Sequence, residues 1–318
     1  MAEYKAIRGH TIRTIAGDAS PLVTGDIWYN SAAKKIRGAK IAAGAWASSG
    51  DLNNGRTRAA GCGTQTAGMA VGGYDSDNAD YTETYDGSSW TEVNDLTTAR
   101  ALESGNFGTT GAAIAAAGET PSAKVAIAEL WNGTSWTEVG DLNTARAILI
   151  GAGTSTAGVV AGGNEPGYSA KTEEYNGTAW SEQNDLNTAA NAGTGDGTQT
   201  AAFYAGGNPG PRKALHEHYD GSSWTEVGDL NTGRVGVFGF GTTTASLVSG
   251  GNTPPATGAT EEFDGSSWAE VADLSTARYD GYMDGGTTTS GFIAGGTGDT
   301  NATEEWDMAA SVETVAFD

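Results

Sequence analysis

The chain has 318 residues, among them 49 glycines and nine tryptophans, which is too aromatic for a disordered polymer and lacks the three-residue glycine period of collagen. Its formal charge of −22, from 17 basic and 39 acidic residues, argues against nucleic acid as a partner, because neutralising phosphates needs Lys and Arg. A single cysteine, Cys62, excludes a disulfide framework, and neither an apolar run of membrane length nor a signal-peptide core in MAEYKAIRGH is present, so no membrane insertion is expected.

Residues 1–40 differ from the rest. They hold seven basic residues against three acids, a local +4, while residues 41–318 carry −26. This asymmetry predicts two functional parts, 1–40 and 41–318. The segment GDIWYNSAAKKIRG reads as a β-hairpin: an apolar strand Ile27-Trp28-Tyr29, a polar turn from Asn30, and a return bearing Lys34, Lys35 and Arg37.

From residue 41 onward the chain repeats itself. Trp recurs at 46, 90, 136, 180, 224 and 268, inside YDGSSWTEVGDLNTAR and its variants. A glycine pair recurs at 72–73, 162–163, 206–207, 250–251 and 295–296, with Ala117-Gly118 in the second unit. Each unit of about 44 residues reads as four short strands. In the third, strand A covers roughly 147–153, AGVVAGG is strand B, KTEEY is strand C, and strand D opens at Trp180 after the hairpin turn Asn176-Gly177. Six such units predict an all-β, six-bladed β-propeller. An open solenoid would need distinctive capping units, and the two ends here look like fragments of one unit. Trp46 lies one period before Trp90 and is expected to supply strand D of the last unit; SVETVAFD, which lacks the Trp, is the competing candidate.

Two charged positions recur with the strands. A glutamate stands two residues before each strand-C aromatic, at Glu83, Glu129, Glu173, Glu217, Glu261 and Glu304. An arginine precedes strand A at Arg56, Arg100, Arg146, Arg234 and Arg278, with Ala190 in the fourth unit. Catalysis needs one copy of a residue, so a residue demanded in every unit is read as scaffold, and buried Arg–Glu pairs are expected.

Strand alternation puts the B–C and D–A loops on one face and the two tight turns on the other. Only the B–C loops vary strongly, from GGYDSDNADYTE to GGNPGPRKALHE. Binding residues usually sit on loops of a rigid scaffold, so Tyr74, Asp75, Asp77, Glu165, Tyr168, Arg212 and Lys213 are the candidate binding residues. Asp75, Asp77 and Asp80 form an oxygen-rich loop with a weak resemblance to Ca²⁺ ligands, lacking the glycine and terminal Glu of an EF-hand; no cofactor and no metal are expected. His216 and His218 read as a solvated pair.

The Arg before strand A, the Gly pair ending strand B, the aromatic in strand C and the Trp opening strand D resemble the Kelch family over residues 41–318. The resemblance implies a six-bladed Kelch-like β-propeller preceded by a short N-terminal β-hairpin. The copper–tyrosine site of some Kelch-like oxidases is not expected from three His and one Cys. DGSSW resembles the sialidase Asp-box but is one residue short, and the arginines repeat as scaffold does, so no enzyme is expected; a sialidase-like glycan-processing activity is the enzymatic alternative. GDIWYN…KKIR resembles a hairpin found in bacteriophage tail-fibre and virion structural proteins. It implies a virion component, assembled in the host cytoplasm, that attaches to other virion proteins through residues 1–40. The expected function is a tail fibre or exposed appendage, homo-oligomeric, binding a host surface glycan or protein through the variable loops. A decoration or assembly protein without receptor binding, and a cellular Kelch-type adaptor, are the other readings.

Overall fold

The computed structural model describes residues 12–20, 26–41, 43–103, 105–208, 210, 212–298, 300–308 and 310–315. They form an all-β chain of seven sheets. Contacts divide it into two compact units, Met1–Gly44 with Met308–Asp318, and Ala45–Asp307.

The smaller unit holds β1 (Arg13–Ile15), β2 (Ile27–Asn30), β3 (Lys35–Ile41) and the last strand of the chain, β29 (Ala310–Thr314), in the order β1-β2-β3-β29. The β2–β3 hairpin pairs Ile27 with Gly38 and Asn30 with Lys35, and Lys34 takes the left-handed turn conformation at φ 56°. Trp28, only 1% exposed, packs with Ala19 and Ala39, and Ile15 and Val312 lie against them. Arg37 donates to Thr314 Oγ1 at 2.6 Å and stands 3.6 Å from Asp18. A boundary at residue 40 therefore leaves out part of this sheet, because β29 pairs with β3 across nearly the whole chain. No local pattern in 310–314 announces that partner.

The larger unit opens with β4 (Ala45–Ser48). Sheet 1 comprises β5 (Ala60–Thr64), β6 (Ala67–Val71), β7 (Thr82–Tyr85) and β8 (Trp90–Glu92). Sheet 2 comprises β9 (Asn106–Thr109), β10 (Ala112–Ala116), β11 (Ala128–Trp131) and β12 (Trp136–Glu138). Sheet 3 comprises β13 (Ile150–Thr154), β14 (Ala157–Ala161), β15 (Thr172–Tyr175) and β16 (Trp180–Glu182). Sheet 4 comprises β17 (Asn191–Thr194), the short β18 (Gly197–Thr198), β19 (Ala201–Asn208), β20 (His216–Tyr219) and β21 (Trp224–Glu226). Sheet 5 comprises β22 (Phe238–Thr242), β23 (Ala245–Ser249), β24 (Thr260–Phe263) and β25 (Trp268–Glu270). Sheet 6 comprises β26 (Met283–Thr287), β27 (Ser290–Ala294), β28 (Thr303–Asp307) and, as its outermost strand, β4.

The arrangement is propeller-like. The innermost strands neighbour one another in turn, β5 beside β9, β9 beside β13, β13 beside β18, β18 beside β22, β22 beside β26, and β26 beside β5. The second strand of each sheet is buried on both faces, as AGMAV and AGVVA are, because a neighbouring sheet covers each side. The outermost strands are three residues of the type Trp-Thr-Glu in sheets 1 to 5, with the Trp buried and the other two exposed. Short, polar strands of this kind protect a sheet edge from pairing with other chains. The turn before each is tied by its first residue: Asp86 Oδ1 accepts from Ser88 N and Ser89 N at 2.9 and 2.8 Å, over Gly87 at φ 92°. DGSSW is thus a turn lock.

Trp46 stands opposite Trp306 in the β4–β28 pair, their rings 5.4 Å apart. The N-terminal side of the larger unit therefore completes the last sheet, and SVETVAFD does not occupy that place in the residues described.

Candidate recognition surface

The recurring charges lie beneath the loops and hold them. Arg56 Nη1 lies 2.5 Å from Glu83 Oε1, Arg100 2.5 Å from Glu129, Arg234 2.9 Å from Glu261 and Arg278 3.1 Å from Glu304; Arg146 pairs with Glu173 in the same way. All ten side chains are buried. Each glutamate uses its second oxygen on the D–A loop arriving from the preceding sheet. Glu83 Oε2 accepts from Asn53 N and Nδ2, both at 2.8 Å, Glu129 Oε2 from Thr97 N at 2.7 Å, and Glu304 Oε2 from Ser275 N at 2.8 Å. Asn53 follows β4, so the clamp on Glu83 links sheet 6 to sheet 1. In sheet 4 Ala190 stands in the arginine's place; Glu217 Oε2 still accepts from Asn187 N and Nδ2, and its Oε1 accepts from Thr188 N at 3.1 Å instead. Tyr204 there reaches the second glycine of the pair, Gly207, where the Arg Cδ lies beside Gly73, Gly118 and Gly163 in sheets 1 to 3.

A second linkage runs between sheets. The outer-strand Trp of one sheet donates to the residue that opens or precedes strand C of the previous sheet: Trp46 to Thr260 at 3.1 Å, and Trp90 to Thr303, Trp136 to Thr82 and Trp224 to Thr172 at 2.9 Å. His216 takes the Thr place in sheet 4. Trp268 Nε1 donates to Gly228 O at 2.9 Å and lies 3.1 Å from His216 Nδ1. Burial, with His218 beside it, pushes His216 down to about 4. The expectation of a solvated pair fails here: His216 is fully buried among Phe203, Phe263 and Trp268, and His218 Nε2 stands 3.1 Å from its Nε2. Replacing Thr by a larger aromatic at a covered position leaves it no access to solvent.

Upon this frame the B–C loops are ordered by short bridges. Tyr74 pairs with Thr57 at the start of strand A and with Asn78 on the loop's return. Glu119 pairs likewise with Ala101 and Lys124, Asn164 with Ala147 and Tyr168, and Asn252 with Val235 and Ala256. The first three loops are also joined edge to edge. Asn78 Nδ2 donates to Glu119 O at 2.6 Å; Lys124 Nζ donates to Asn164 Oδ1 and, at 2.7 Å, to Glu165 O. Tyr74 opens the first of these loops and Tyr168 closes the third. They are 37% and 44% exposed, and no other large apolar side chain is exposed among the described residues. The joined strip therefore runs from one open tyrosine to the other.

Below the strip Arg58 bridges Glu103 and Glu119, the latter at 3.0 Å. Burial pushes Glu103 up to about 7, against the pull of Arg58. Burial also lifts Glu165, yet Ser169 and Lys171 outweigh it and hold it below the ordinary range. Glu165 thus braces its own loop through Ser169 Oγ at 2.7 Å. Asp75 is half-buried and Asp77 exposed beside Tyr74. Arg212 and Lys213 are exposed on the loop of sheet 4, and no described side-chain hydrogen bond joins them to the strip. Asn78, Glu119 and Lys124, which stitch the strip, were not singled out by sequence; their signal is only that each stands at a bridge position of a variable loop. Among the described residues no group of three or more His, Cys, Asp or Glu stands as a metal-holding cluster, and Asp75, Asp77 and Asp80 do not form one. No helix is long and apolar enough to cross a membrane among these residues.

Comparison with known families and with curated proteins finds no match for this chain.

Proposed function

We propose that this chain is a structural component of a bacteriophage particle that binds the host surface, non-covalently, through the strip between Tyr74 and Tyr168. In this reading the six repeat sheets are the blades of a closed, six-bladed Kelch-like propeller, and the basic head with its hairpin residues Ile27, Trp28, Tyr29, Lys34, Lys35 and Arg37 attaches to other virion proteins. The observation that carries it is the joined strip itself: three loops of unlike sequence held edge to edge, with an exposed tyrosine at each end. Open tyrosine faces stack on the apolar faces of sugars, and the polar groups between them supply hydrogen bonds. The buried clamps keep the strip in one shape, which lowers the ordering cost of binding. Several copies on one particle would convert weak single contacts into firm attachment.

Host-cell adsorption and a glycan array, read with the parent chain and with Y74A/Y168A, test it. Each exposed tyrosine is expected to contribute about 1 kcal/mol, so the double variant should bind on the order of tenfold or more weakly with unchanged thermal stability. Unchanged binding by the double variant would remove the strip from recognition and favour an assembly role; turnover of a surface glycan would favour the sialidase-like reading.

A further inference from the structure

The innermost strands of the larger unit enclose a cavity of about 80 Å³, with residues of all six sheets in its wall. Glycine makes up most of that wall. At one position of the inner strand sheets 1, 3, 4 and 5 carry Gly61, Gly151, Gly195 and Gly239, whereas sheet 2 carries Asn106 and sheet 6 carries Asp284. One residue further along, sheet 4 carries Asp196. Where four repeats accept a hydrogen as side chain, the fold itself does not require a carboxylate or an amide.

The three polar side chains are held differently. Asp196 accepts from Gly197 N at 2.7 Å and from Gly241 N at 2.9 Å, one on each oxygen. Asp284 accepts from Gly239 N at 2.8 Å. Asn106 is 3% exposed, and neither atom of its amide has a hydrogen-bond partner; the Cys62 thiol is near enough to feel the amide but makes no hydrogen bond of normal geometry with it. A buried amide left without a partner destabilises the fold unless something in the cavity satisfies it. The charges are equally incomplete. Among the described residues no Lys, Arg or His lines the cavity, so two buried carboxyl groups share it without a counter-charge there.

We propose that this cavity is a cation site in which Asp196, Asp284 and the Asn106 amide oxygen hold one hard divalent ion of the calcium type, with water completing its shell. The donor set is all oxygen, which suits calcium over softer metals. The ion neutralises both carboxylates and gives the amide its missing partner. It sits where the inner strands of all six sheets meet, so it would tie them together, and this role is independent of what the loops bind.

The full chain, unfolded and refolded with a chelator and then desalted, is titrated with CaCl₂ by calorimetry and followed by thermal unfolding. One saturable site per chain and a rise in unfolding temperature are expected. D284N and D196N should each weaken Ca²⁺ about tenfold or more. D77N, in the acidic B–C loop, should bind as the parent does. N106D, which adds a third carboxylate without enlarging the side chain, should bind Ca²⁺ more tightly, and it remains informative should either asparagine variant misfold. Absence of saturable binding by the parent, retention of full affinity in D284N, or loss of binding in D77N would overturn the proposal.

Discussion

Trp180 is the only outer-strand tryptophan of the repeat sheets, among the described residues, whose indole nitrogen has no acceptor. Its neighbours find a threonine or a carbonyl on the preceding sheet, but the matching residue of sheet 2 is Ala128. A128T should supply the missing acceptor and raise stability by about 1 kcal/mol, the usual net value of a hydrogen bond, as measured by urea unfolding; no gain would mean that Trp180 is satisfied otherwise. His216 is the opposite case, a titratable group at a threonine place. Its folded-state pKa, about 4, lies below the ordinary 6.5. The unfolded chain therefore takes the proton first, and the stability that His216 contributes above pH 6.5 is lost as the pH falls from 6.5 to about 4, on the order of 3 kcal/mol in all. H216T should lose distinctly less stability than the parent between about pH 7 and about pH 4.5 in urea titrations. Equal losses in the two proteins would mean that His216 does not govern this part of the acid response.

At the scale of the element, the repeated strands were legible because a period of about 44 residues shows in Trp, in the Gly pairs and in the Arg–Glu positions at once. Strand A of the third unit, read as 147–153, is Ile150–Thr154, displaced because Ala147 spends its backbone on a bridge to the B–C loop. What the period could not carry is whatever occurs once. In sheet 4 the departure at Ala190 shows in the repeat, but nothing in the sequence marks Tyr204 as the side chain that reaches Gly207 there. Loop stitching such as Asn78 to Glu119 depends on a backbone carbonyl, which no side-chain pattern reveals. The second oxygen of each glutamate was likewise hidden, since its partner belongs to the preceding sheet. The two terminal strands give a direct test. β29 pairs with β3 and β4 pairs with β28. Deleting residues 310–318 should leave the repeat sheets with their parent unfolding transition. W46A should lower the stability of those sheets by about 2–3 kcal/mol, somewhat under the loss for a fully buried tryptophan. Calorimetric scans check both; a collapse of the repeat transition in the deletion variant would assign the closing role to the tail.

Across the larger unit three linkages all run the same way round: inner strands side by side, glutamates clamping the previous loop, and tryptophans reaching the previous sheet. Each has a member crossing from sheet 6 to sheet 1, at β26 beside β5, Asn53 on Glu83 and Trp90 on Thr303. In the proposed closed ring no end sheet is free, and the recognition strip, whose three loops are joined edge to edge, keeps its shape without ligand. In an open stack the loops at either end would lack a neighbour on one side. Closure is best measured by a covalent bond across the seam. Ala45 and Asp307 are antiparallel partners with exposed side chains, while the native Cys62 is buried and does not compete. Facing positions of this kind come close enough for a disulfide. Under mild oxidation A45C/D307C is predicted to form a single intramolecular disulfide that raises the unfolding temperature; thiols that stay free, or that link only between chains, would contradict the closed arrangement.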